Sequence, residues 1–171
     1  VLPTKKTAVL NRWLSQPGAI LKQGCTLTED YVIVWVTVPD GGLKKEGDAI
    51  GVDAGMTKVL ATSEGEFIGD DFLRIRDKII RRKPGSKGKR RARTERDQYL
   101  NWCVNQLPWG RIKIIGHENL TNLKKGKKKN RGKSFRKALA PWTYRRVLDS
   151  IGQKAAEHRV LCVAVPASYT S

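Results

Sequence analysis

The chain has 171 residues, of which 39% are hydrophobic and 29% charged, with a formal net charge of +18 and a pI near 10.2. That length suits one domain, or one domain with a small appendage, and that apolar share is enough for a core. The charge favours a polyanionic partner, nucleic acid before an anionic membrane, and no apolar run approaches the roughly 20 residues of a membrane span.

Val1-Leu2-Pro3-Thr4-Lys5-Lys6 lacks the apolar core of a signal peptide, so a cytoplasmic location is expected. The first residue is not methionine, which suggests a fragment or a processed product. Cys25, Cys103 and Cys162 are odd in number and form no CxxC pair. They read as buried or incidental thiols, not a disulfide framework or a zinc site.

Residues 1–47 are predicted to form a separate all-β piece. One strand covers 19–27 and a second, rich in β-branched and aromatic residues, covers 31–38. Thr28-Glu29-Asp30 is the turn between them, and Lys44-Lys45-Glu46-Gly47 reads as a linker.

The second piece, residues 48–171, opens with Ala49-Ile50-Gly51-Val52-Asp53-Ala54-Gly55-Met56. This is a short apolar strand that delivers a carboxylate into a turn. Strands over 57–63 and from Phe67 follow, making an antiparallel meander. The period then changes. Phe72, Leu73, Ile75, Ile79 and Ile80 mark a helix ending near Arg82, with Asp70 and Asp71 as its expected caps. A second helix runs from Lys87 to Leu107, with Leu100, Cys103, Val104 and Leu107 on one side. Ile112–His117 is a strand that ends at Glu118. After a lysine-rich loop, a helix starts near Pro141 with Tyr144, Val147, Leu148, Ile151 and Ala155 inward. Val160–Val165 is a continuous apolar run, expected to be a strand buried on both faces.

Two carboxylates thus end two similar strands. A charge there is costly to bury unless it is paired or binds a metal. Asp53 either caps its turn through its side chain or joins Glu118 around a divalent ion. The succession strand, strand, strand, helices, strand, helix, strand is similar to the ribonuclease-H-like α/β fold, a mixed sheet with flanking helices. There the first and fourth strands are neighbours, which favours the metal reading. Asp149 is expected to be solvated, and neither His117 nor His158 is assigned a catalytic role. His158, near a helix end, is expected to face the terminal carbonyls.

Arg81, Arg82, Lys83, Lys87, Lys89, Arg90, Arg91, Arg93 and Arg96 form one basic cluster. Lys124, Lys125, Lys127, Lys128, Lys129, Arg131, Lys133, Arg136 and Lys137 form another. A charge run is commonly a solvated face, but two dense runs with almost no acids between them point to phosphate binding. Of the five tryptophans, Trp142 is the candidate for base stacking. Trp35 and Trp102 lie in patterned elements and are expected in the core.

Ile50-Gly51-Val52-Asp53-Ala54-Gly55 resembles the first RuvC-type motif of the TnpB (OrfB) proteins of bacterial insertion sequences, relatives of the type V CRISPR effectors. Ile114-Ile115-Gly116-His117-Glu118-Asn119-Leu120 resembles their second motif. Pro141-Trp142 and Val165–Ser171 are similar to the segments that follow, the last leading into the family's zinc ribbon. Arg12-Trp13 and Tyr31–Trp35 resemble the end of its nucleic-acid-binding wedge domain. The resemblance implies an RNA-guided DNA endonuclease that uses two Mg²⁺ (or Mn²⁺) ions, with DNA and a guide RNA as partners. It implies Asp53 and Glu118 as metal-holding catalytic residues. The family's zinc site and third carboxylate fall beyond Ser171, so the carry-over stops at these two. The alternative is a non-catalytic nucleic-acid-binding module.

Overall fold

A computed structural model of the chain describes residues 7–29, 32–119 and 144–166. It divides into two compact units, Val1–Gly42 and Leu43–Ser171.

The first unit is a short helix and a hairpin. Helix α1 (Ala8–Leu14) follows Thr7, whose side chain accepts the Leu10 N–H at 3.2 Å and so caps the first turn. This helix corrects the all-β expectation for the segment. Seven residues are too few for a 3.6-residue period to show. Strands β1 (Ile20–Leu27) and β2 (Val32–Thr37) pair antiparallel, with a register irregularity between Leu21 and Cys25. Every described residue of β1 is exposed, and β2 alternates between half-buried and exposed.

The second unit is a mixed α/β layer structure. Its elements are β3 (Asp48–Ala54), β4 (Leu60–Thr62), β5 (Phe67–Ile68), α2 (Phe72–Arg81), α3 (Lys87–Asn105), β6 (Ile112–Asn119), α4 (Tyr144–Glu157) and β7 (Leu161–Pro166). The five strands lie in the order β5-β4-β3-β6-β7. The first three pair antiparallel, while β6 is parallel to both β3 and β7. The strands of Asp53 and Glu118 are therefore neighbours.

The core fills one face of this sheet. Ile50 and Val52 of β3, Leu60 of β4 and Ile112 and Ile115 of β6 point into it. Against them pack Leu100, Cys103 and Val104 of α3 and Val147, Ile151 and Ala155 of α4. Their spacing of three to four residues sets one helical stripe against the sheet. Helix α3 starts at Ser86, whose hydroxyl accepts the Lys89 N–H at 3.1 Å. A second, smaller cluster of Ile75, Ile79 and Ala92 joins α2 to the first half of α3, and Tyr99 packs against both clusters.

The other sheet face carries less cover than the sequence suggests. Leu161 and Val163 of β7 are 40% and 38% exposed, which corrects the expectation of burial on both faces. Of the β7 residues only Cys162 and Val165 are even half-buried, and β7 stands last in the strand order with a paired strand on one side only. The expected caps of α2 also differ. Asp71 occupies the cap position but makes no side-chain capping bond. Its carboxylate pairs with Arg74, and Asp70 pairs with Lys58. Among the described residues, no helix is long and apolar enough to cross a membrane.

Candidate metal and nucleic-acid site

The site begins with the register of two central strands. Gly51 lies opposite Gly116, and Val52 opposite His117. Asp53 and Glu118 are the next residues of the two strands, so the register continued by one step brings them to the same level, one strand spacing of about 4.8 Å apart in backbone terms. Alternation turns Val52 into the core and Asp53 away from it, where it is exposed. Glu118 points to the same side and is half-buried. His117 points to the opposite face from Glu118, and its Nδ1 lies 3.1 Å from the Glu118 carbonyl oxygen. That orientation turns the imidazole away from the acid pair.

The row across the sheet at this level is Phe67, Ala61, Asp53, Glu118 and Val165. The row below holds Gly51 and Gly116, which present no side chain. A Cβ on Gly116 meets no described atom within 4 Å, and one on Gly51 meets Ser63 Cβ at 3.6 Å. The Ser63 hydroxyl accepts the Gly51 N–H at 3.0 Å, and the Ser63 N–H returns a bond to the Gly51 carbonyl at 2.8 Å. The two carboxylates thus stand over a bare strip of backbone. Such a pair fits Mg²⁺, which takes one or two carboxylates and fills its remaining positions with water and phosphate oxygens. Among the described residues, no group of three or more His, Cys, Asp or Glu is placed to hold a metal ion. Asp149 is exposed on α4.

The first basic cluster lies on a helical hairpin. Ile68 pairs with Leu60, and Leu60 with Ala54, one residue past Asp53. Helix α2 therefore leaves the sheet at the end where the acids lie. The Asp71 N–H donates to the Tyr99 hydroxyl at 3.0 Å, which ties the start of α2 to the middle of α3. Arg81, Arg82, Lys83, Lys87, Arg90, Arg91 and Arg93 are all exposed along the tip and first half of the hairpin. Lys89 is half-buried, and its ammonium donates to the Arg82 carbonyl at 3.3 Å. Arg96 departs from the expected cluster. It is 8% exposed and grips Asp97, Nε to Oδ1 at 2.8 Å, while Arg146 of α4 approaches the same carboxylate at 3.6 Å. The Asp97 carboxylate, met by Arg96 of its own helix and by Arg146, is what links α3 and α4. Lys124, Lys125, Lys127, Lys128, Lys129, Arg131, Lys133, Arg136, Lys137 and Trp142 lie outside the described residues.

The aromatic expectations are also corrected. Trp35 and Trp102 are 59% and 52% exposed. Trp35 shares the outer face of β2 with Ile33 and Thr37. Trp102 lies beside the buried stripe of α3 and stacks on Tyr99, with centroids 5.6 Å apart and planes at 19°. Nothing in the α3 pattern except the buried Leu100-Cys103-Val104 set could have excluded it from the core. Among the described tryptophans, Trp109 is the buried one. Its indole N–H donates to the Val104 carbonyl at 2.9 Å. Its ring stacks on His158 at 5.8 Å, so the imidazole lies against an aromatic ring rather than simply over the helix carbonyls.

No family model matches the chain. No curated protein matches it either. Among solved structures, it is similar to a chain from the cryo-EM structure of a Cas12f1–sgRNA–target DNA complex, at 16% sequence identity and a TM-score of 0.54. The match covers 90% of this chain and 36% of that one, so this chain spans about a third of its neighbour's length. At that identity the likeness is one of fold.

Proposed function

We propose that this chain is the metal-holding core of an RNA-guided DNA endonuclease of the TnpB and type V group, built on a ribonuclease-H-like sheet. The observation that carries this reading is the side-by-side placement of Asp53 and Glu118, on the outer face and at one end of the central strands. The strand order supports it, and so does the likeness in fold to Cas12f1, which was solved with sgRNA and target DNA. Asp53 and Glu118 hold divalent magnesium or manganese. When bound, such ions supply an activated water and stabilise the leaving oxygen in phosphodiester hydrolysis. The bare Gly51–Gly116 strip leaves room for a substrate backbone against the sheet. The cations of the α2–α3 hairpin bind phosphates, and their contacts position a strand without reading its sequence, as suits a protein guided by RNA. In this reading residues 1–47 are the end of a nucleic-acid-binding wedge.

A non-catalytic nucleic-acid-binding module is the second reading. It is favoured by the lack of a third metal-ligating side chain beside the pair among the described residues. Manganese binding separates the two. Titration of the full chain with Mn²⁺, followed by electron paramagnetic resonance, is expected to show a site that weakens at least about tenfold in Asp53→Ala, a loss of ~1.4 kcal/mol. Cleavage of DNA by the chain alone is expected to be slow, since two carboxylates leave much of the coordination to solvent. Equal Mn²⁺ binding by parent and variant removes the nuclease reading and leaves the binding module.

A further inference from the structure

A cleft of about 560 Å³ opens on α2, lined by Arg74, Asp77, Lys78, Arg81 and Arg82. We propose that this cleft is a phosphate-backbone site, which holds a nucleic-acid strand on the hairpin that rises from the acid end of the sheet. The proposal rests on the nucleic-acid reading above and adds a place and a direction to it.

The charges of the lining decide the ligand class. Four of the five lining side chains are cationic. The Asp77 carboxylate accepts from Arg76 Nε and Nη2 at 3.2 and 3.1 Å, so its charge is met locally. Arg74 pairs with Asp71, and Lys78 with Glu95. Arg81 and Arg82 have no carboxylate partner among the described residues. Two guanidinium groups are thus left over, each able to grip a phosphate with two parallel N–H bonds.

The spacing of the charges decides the shape. Arg74, Lys78 and Arg81 fall on successive turns of one helical face, about 5.4 Å apart along the axis. Such a row suits a line of phosphates better than one compact anion. Among the described residues no aromatic side chain lines the cleft, and its guanidinium and ammonium groups suit phosphates better than bases. The backbone is what it can bind.

The position decides the role. Of α2 only Phe72 joins the sheet core, and of α3 only the second half, from Tyr99 through Leu100, Cys103 and Val104. The upper part of the hairpin has a small core of its own, Ile75, Ile79 and Ala92. Arg81 lies nine residues beyond Phe72, about 14 Å along a helix axis. A strand seated in the cleft therefore has a few phosphates between it and Asp53. The cleft fixes a remote part of the strand, and the acids meet a nearer one.

The test is a salt titration of the full chain, with a fluorescent 20-base-pair DNA duplex and the RNA duplex of the same sequence as probes. Arg81→Ala/Arg82→Ala is compared with Arg145→Gln/Arg159→Gln, an equal loss of charge at two exposed arginines that do not line the cleft. For whichever probe the parent binds, the cleft variant is expected to lose about tenfold or more in affinity at low salt. Its slope of log K against log salt should shrink by about 1.8, two phosphates' worth. The control variant should change by less than a third of that. Both substitutions are at exposed sites, and an unchanged melting temperature checks the fold. Equal losses in the two variants overturn the cleft and leave nucleic-acid binding as a diffuse effect of charge. A parent that binds neither probe overturns the nucleic-acid reading itself, and the cleft with it.

Discussion

Cys103 shows how one buried group ties stability to pH. It is fully buried against the sheet, and burial pushes its thiol up from an ordinary value near 9 to about 11, with a hydrogen bond to Tyr99 pulling the other way. The folded chain keeps this proton to about pH 11, whereas the unfolded chain gives it up above about 9. The stability linked to it is whole below pH 9 and is lost as pH rises through 11, because the unfolded state then binds fewer protons. Two pH units correspond to roughly 2–3 kcal/mol. In urea unfolding at pH 8, Cys103→Ala should be less stable than the parent, having lost a packed sulfur. At pH 10.5 the gap should narrow by about 2 kcal/mol. A gap of constant size means the thiol titrates normally in the folded state. The same burial makes Cys103 a poor nucleophile, so it belongs to packing and not to chemistry.

At the scale of elements, the register that brings the acids together is set at the far end of the strands. Lys44 directs its ammonium to the carbonyls of Trp109, Gly110 and Ile112 at 2.6, 3.0 and 3.2 Å. Its backbone N–H donates to the Arg159 carbonyl at 2.8 Å. One residue thus gathers the approaches to β3, β6 and β7. Gly47 completes the junction. It has φ of +127°, and a Cβ there meets the Arg111 carbonyl oxygen at 2.3 Å. Lys44→Met keeps the aliphatic stem but strands three carbonyls, and is expected to cost about 2 kcal/mol. Urea unfolding should show a lower midpoint with an unchanged slope; an unchanged midpoint means solvent replaces the ammonium without loss. None of this was legible in the sequence, where 44–47 reads as a linker, because the carbonyls that meet the Lys44 ammonium lie 65 to 68 residues away. The long helices were legible, since period 3.6 persists long enough to be seen, and the short meander strands were marked by the turn residues between them. β7 was half legible: its apolar run marks a strand but does not say which of its faces is covered.

For the whole molecule, the pairing of the strands that carry Asp53 and Glu118 was legible for a topological reason. Three antiparallel strands followed by helix-linked parallel ones leave few ways to order a sheet, and the observed order sets β6 beside β3. The tryptophans were not legible, because one aromatic side chain suits a core and a surface stack equally well. The same asymmetry separates the two units. All the buried hydrophobic residues among those described fall between Ile50 and Val160, inside the second unit. The first unit buries none, and leaves Ile20, Leu27 and Trp35 exposed. A two-stranded hairpin with one short helix has too little apolar surface to offset the entropy of ordering it. The second unit alone, Leu43–Ser171, contains Lys44, the sheet and its packed helices. Deleting residues 1–42 should therefore lower the melting temperature by only a few degrees and leave a cooperative transition. A peptide of residues 1–42 should show the circular dichroism of an unfolded chain. A truncated protein that no longer unfolds cooperatively means that the hairpin supports the sheet, and that the two units are one folding unit.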